Sequence, residues 1–205
     1  EPASRDAIGK AGAARLAARK LEKVDPKSIL FGMPTLEDAL PSSVEAPEGV
    51  EINVRLHEDE HRQVELVHAG LRAEVDAELA GVRRVLSDCR KGAGFTEVHV
   101  RKRLPAPLGG ARVPVAELEK AVGAKARPFG IRGVPGMVQD GYAIPLSDVV
   151  VYGIAHDGVA ATIAVYGPAE DVAGRLHAVG LAHGLLLVDW RRAEVLRALE
   201  EGWAV

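Results

Sequence analysis

Cysteine is nearly absent from this chain. One residue in 205, Cys89, excludes an internal disulfide and any cysteine-rich zinc site. A lone thiol suits a reducing, cytoplasmic compartment. Aromatic residues make up only 4% of the chain, so a core must rest on Val, Leu, Ile and Ala. No apolar run approaches the roughly 18 residues of a membrane span, so no membrane partner is expected. A basic excess is missing as well. The net charge of −3 argues against nucleic acid as the main partner. There is no Walker A motif, no G-x-G-x-x-G and no G-x-S-x-G. The chain opens at Glu1 rather than Met, which leaves a removed signal peptide open.

What is present suits a globular protein. Hydrophobic residues reach 47% and charged residues 27%, enough to bury a core without disulfides or metal. Residues 4–23 read as an Ala-rich helix with Ser4 as N-cap, weakened by Gly9 and Gly12. A segment with prolines at 26, 34 and 41 comes next, with Thr35–Asp38 as an N-capped helical turn. Its residues Ile29, Leu30, Phe31, Met33, Leu36 and Leu40 are too apolar for a free linker. They either wrap onto the main domain or dock on a partner. Residues 1–49 therefore read as an N-terminal helical arm with a docking segment, and residues 50–205 as one α+β domain.

Within that domain "VEINVRL" alternates as a half-buried strand. A long helix is expected from 59 to 90, with Val64, Val67, Leu71, Val75, Leu79, Val82, Leu86 and Cys89 on one stripe. "FTEVHVRKRL" reads as a second strand. Pro114 opens a short helix that runs to about Val122. Residues 128–145 hold so many Gly and Pro that an irregular loop is expected. "DVVVYGIA" and "VAATIAVYG" flank Asp157-Gly158, a hairpin signal. A helix should run from Pro168 to Gly180, then the buried strand "LLLVDW", then a closing helix over "RRAEVLRALEEG". The fold class expected is α+β: a mixed, largely antiparallel sheet with ferredoxin-like elements, helices on one face, one long helix and the N-terminal helical arm.

The sharpest chemical pattern is "HEDEH", residues 57–61, which spells H-E-x-x-H. On a helix, His57 and His61 would share one face and chelate zinc, with Glu58 activating water. The charged spacers Asp59 and Glu60 fit poorly inside a packed zinc helix. The strand leading into His57 also places the helix start after it. On one helix His68 would lie roughly 16 Å from His57, too far to share a metal. Glu58/His61 and Glu65/His68 match the i, i+3 spacing of di-iron ligands, but one helix cannot wrap a metal pair. Acidic residues at a helix start also favour the dipole without any metal.

Arg101, Arg103 and Arg132 could meet a phosphate, although strand alternation splits Arg101 and Arg103 from Lys102. Gly130–Gly133 matches the short G-x-x-G loop of KH domains, but the flanking two-helix context is missing. The reading that best survives is a non-enzymatic protein-binding module of the immunity, adaptor or regulatory kind. It would meet another protein, or itself, through Phe31, Met33, Leu36, Arg132 and Met137. No cofactor is expected. Zinc enters only in the alternative, a metal-dependent hydrolase using His57, Glu58 and His61. A phosphate or nucleic-acid binder through Arg101, Arg103 and Arg132 is the third reading.

Overall fold

Strand β10, Val149–His156, organises the sheet. Its sequence VVVYGIAH is rich in β-branched residues, which favour a pleated, packed surface. It ends at Asp157-Gly158, both with positive φ (51° and 75°), as a type I′ turn requires. The chain then reverses into β11, Val159–Ala160. The hairpin signal in the sequence thus marks a real reversal.

The computed structural model describes residues 42–44, 52–54, 61–88, 90–91, 94–95, 99–102, 104–131, 134 and 136–196. The chain divides into two units, Glu1–Ala39 and Leu40–Val205. The described strands and helices all belong to the second unit. Its first strands are β1 (Ser42–Val44), β2 (Ile52–Val54) and β3 (Val64–His68). A 3₁₀ turn over Ala69–Leu71 then leads into α1 (Arg72–Asp88). The ribbon β4 (Arg90–Lys91) and β5 (Gly94–Phe95) comes next. After it stand β6 (Val113–Pro114) and α2 (Val115–Val122). Three strands precede β10: β7 (Phe129–Ile131), β8 (Met137–Val138) and β9 (Gly141–Leu146). After β11 come β12 (Ala164–Tyr166), α3 (Glu170–His183), β13 (Leu185–Asp189) and β14 (Glu194–Leu196).

The main sheet runs β14-β13-β3-β12-β10, entirely antiparallel. β9 lines the other edge of β10, and β11 carries β6. Because β12 and β13 both oppose β3, they are parallel to each other, and α3 joins them across it. That is a split β–α–β unit, the ferredoxin-like element the sequence suggested. A small parallel pair, β2 with β7, and the pair β1 with β8 complete the described strands.

Alternation along β3 builds two cores. Val64 and Leu66 pack with Leu118 and Val122 of α2 and Val172, Leu176 and Val179 of α3. Val67 packs on the opposite side with Val75 and Leu79 of α1 and with Val188 and Trp190. Helices therefore cover both faces of the sheet, not one. Glycine ends α2 and α3: Gly123 and Gly184 adopt the left-handed conformation that closes the last turn. The Tyr142 hydroxyl is buried and donates to the Thr162 carbonyl. Burial pushes this phenol well above its ordinary pKa, so it stays a donor.

Besides the helices on both faces, four sequence expectations change. The long helix begins at Arg72, so Val64 and Val67 lie on a strand. The stretch 128–145 is not an irregular loop but contributes β7, β8 and most of β9. His99 to Lys102 are not in a strand. The segment expected to be a closing helix begins with a turn over residues 191–193 followed by β14. Strand pairing decides each case in which a strand replaces a helix or loop, because pairing satisfies backbone groups that local periodicity does not count. The N-terminal helix, the turn Thr35–Asp38 and Cys89 lie outside the described residues. No described helix is long and apolar enough to cross a membrane.

Candidate functional site

Glu65 is buried, only 1% exposed, on the face of β3 that looks toward α1. Flanked by Val64, Leu66 and Val67, it sits where a carboxylate is costly unless paired. Three donors meet it. Arg62 gives its Nε to Oε2 at 2.6 Å. Arg101 Nη1 and the Trp190 indole N–H both donate to Oε1 at 2.9 Å. Such charge-assisted bonds are about twice as strong as neutral ones and offset the desolvation of the acid.

The turn before β3 shapes this cluster. Arg62 holds a positive φ of 53°, uncommon for a non-glycine residue. Its backbone N–H donates to the Tyr152 hydroxyl at 2.9 Å, and its carbonyl accepts from Arg101 Nη2 at 3.1 Å. Its own Nη2 reaches the Leu104 carbonyl at 3.4 Å. Backbone and side chain are thus held together, which over-determines the strained conformation. The Trp190 backbone N–H donates to the Gln63 carbonyl at 2.8 Å, tying the end of β13 to the same turn.

Chemically the cluster is an anchor. Both carboxylate oxygens accept from a cation or the indole. The other ionisable pairs are likewise local ties. His183 Nε2 lies 2.9 Å from Glu117, linking α3 to α2. His99 Nε2 lies 2.8 Å from Glu78 on α1. Asp189, 1% exposed, accepts from the backbone N–H groups of Arg191 and Arg192 at 2.9 and 3.0 Å. A small cavity of about 180 Å³ opens at the strand ends, lined by Gln63, Asp148, Val165, Tyr166, Gly167 and Arg191. It falls below the roughly 300 Å³ at which ligand pockets usually begin.

The residues singled out from the sequence fall in several places. His61 is buried in the turn before β3, with Nδ1 3.4 Å from the Tyr152 hydroxyl, not on a helix. His57 and Glu58 lie outside the described residues. Among the described residues no three His, Cys, Asp or Glu side chains converge as metal ligands would. Arg101 turns inward to Glu65 and Trp190. Arg103, Arg132, Phe31, Met33 and Leu36 lie outside the described residues. Met137 is 3% exposed, within β8.

Arg62 and Trp190 were not among the sequence candidates, and Glu65 entered only as half of a helical metal pair. A usable signal existed: a lone Glu inside the apolar run of "VELVH" implies a buried partner. No protein-family model, curated protein or solved structure matches the chain.

Proposed function

We propose that the chain is a non-enzymatic protein-binding module whose docking residues are Phe31, Met33 and Leu36. The composition of the segment supports this reading. Ile29, Leu30, Phe31, Met33, Leu36 and Leu40 are too apolar for a free linker. Large apolar side chains gathered in a short proline-punctuated segment are what a partner surface needs. The use of the ionisable groups adds support: the described acid–base pairs tie helices, strands and turns of the second unit to one another. Met137, buried within β8, would serve the fold rather than the surface.

The test compares the full chain with a Phe31→Asp/Leu36→Asp variant. Sedimentation over a range of concentrations reads self-association, and affinity capture from the source cells reads another protein. The reading expects at least one association, lost in the variant while the melting temperature stays within a few degrees. A variant that melts much lower would place these residues in the fold. An association that survives the variant would move the interface elsewhere.

A further inference from the structure

Two Asp-Gly pairs stand in the sequence, Asp140-Gly141 and Asp157-Gly158. An aspartyl carboxyl group next to a glycine is open to attack by the glycine nitrogen, because no side chain blocks the approach. Both aspartates hold a positive φ, 55° and 51°. Their surroundings differ. Gly141 opens β9 and pairs with Ile154 of β10. The space beside it is filled by Val138 and Phe129. The Asp140 carbonyl accepts from the Ala155 N–H at 2.9 Å, and its carboxylate lies 3.4 Å from His156 Nδ1. Asp157 and Gly158 are both exposed at the tip of the β10–β11 hairpin. The Asp157 carboxylate has no hydrogen bond or ion pair among the described residues. The Gly158 N–H makes no described backbone hydrogen bond, and an added Cβ there would meet nothing within 4 Å. One tie does lead away from this tip. The Gly158 carbonyl accepts at 2.9 Å from the N–H of Val115, the first residue of α2.

We infer that Asp157-Gly158 is a site of spontaneous covalent modification, where the aspartyl bond rearranges to isoaspartate and frees the start of α2. The Gly158 nitrogen bonds to the side-chain carboxyl carbon of Asp157. The hydroxyl of that carboxyl group leaves with the amide proton as water, which closes a succinimide ring. Water then adds to the former main-chain carbonyl and opens the ring on that side. The main chain now runs through the Asp157 Cβ, and a carboxylate is left on its Cα. One water leaves and one returns, so the mass is unchanged and no redox partner is needed. Asp140-Gly141 reacts only when the pairing of β9 with β10 opens, whereas the hairpin tip moves without that cost. The product carries an extra main-chain atom inside a two-residue turn set by the pair His156 and Val159. The Gly158 carbonyl then shifts away from Val115, and α2 loses the acceptor of its first N–H.

Ageing the full chain at neutral pH, followed by peptide mapping with electron-transfer fragmentation, reads isoaspartate at each pair. Asp157 should accumulate it about tenfold or more faster than Asp140. In urea, where no strand protects Asp140, the two rates should converge. Asp157→Gly removes the reacting carboxyl group, accepts the positive φ and should give no product at that position. Hydrogen exchange reads the consequence: the Val115 amide should exchange faster in the aged chain than in the fresh one, and equally in aged and fresh Asp157→Gly. The inference is overturned if folded Asp157 reacts no faster than folded Asp140. It is equally overturned if a chain rich in isoaspartate at Asp157 exchanges its Val115 amide at the original rate.

Discussion

Arg101 and Trp190 donate to the same oxygen of Glu65, each at 2.9 Å, while the Arg101 guanidinium carbon lies 4.6 Å from the centre of the Trp190 ring. One buried carboxylate therefore orders a cation and an aromatic ring against each other. The stacking adds about 0.5–2 kcal/mol to the shared acceptor. The arrangement also joins three distant parts of the chain: β3, Arg101 and the end of β13.

Removing the acceptor should be costly. Glu65→Gln leaves two guanidinium groups facing a neutral amide in a nearly closed site. The expected loss is about 3–5 kcal/mol, the range for breaking a buried pair. Urea unfolding at neutral pH measures it. An unchanged midpoint would show that Arg62 and Arg101 find other partners.

Met137 separates a fold role from a surface role. At 3% exposure in β8 it packs like a core residue. Met137→Ala should then destabilise the chain by about 2–5 kcal/mol. Thermal unfolding reads this directly. A variant with unaltered stability but weaker association would return Met137 to a binding surface.

Two glycines should respond in opposite ways to alanine. At Gly153 in β10 an added Cβ would sit 2.0 Å from the Thr162 carbonyl oxygen, which is backbone and cannot rotate away. Gly153→Ala should cost about 3 kcal/mol or more through overpacking. At Gly174 in α3 the same atom meets nothing within 4 Å. Gly174→Ala should instead stabilise the helix by up to about 1 kcal/mol. Paired denaturation curves give both signs.

Acid should loosen the end of α2. The Ala126 backbone N–H and the Lys125 ammonium hold the Glu119 carboxyl below the usual carboxylate range. A depressed pKa in the folded state adds stability that is present above the ordinary carboxylate pKa. It is lost as pH falls through the lowered folded value. Amide shifts of Gly123–Ala126 should therefore move on acidification, and Glu119→Gln should abolish that movement. Identical titrations in the two chains would remove Glu119 from this role.

Several features were legible in the residues themselves. Asp157-Gly158 gave the hairpin, because few pairs accept two successive positive φ angles. Pro114 marked the start of α2 and the helix runs to Val122 as read, and the apolar run 185–189 gave a buried strand. Each depends on neighbours in sequence, where the causes are steric and local. The stripe Val64, Val67, Leu71, Val75 was ambiguous, since its spacing fits a helix while β-branched residues favour a strand. Pairing of β3 with β12 and β13 settled it. Likewise, among the described residues, Pro128, Gly136 and Gly141 stand at the starts of β7, β8 and β9, while Gly130 and Pro145 are accommodated within strands.

By itself, then, the sequence determined the α+β class, the Asp157-Gly158 turn and the extent of α2, because these come from backbone sterics and short-range hydrogen bonding. Only the tertiary structure decided that α1 and α2–α3 lie on opposite faces, and that Glu65 meets Arg62, Arg101 and Trp190. Trp190 stands 125 positions from Glu65, and Arg101 stands 36 positions away. No local pattern links residues so far apart. They meet because β3 sits between β12 and β13, and because a carboxylate buried there must gather its donors from wherever the chain returns.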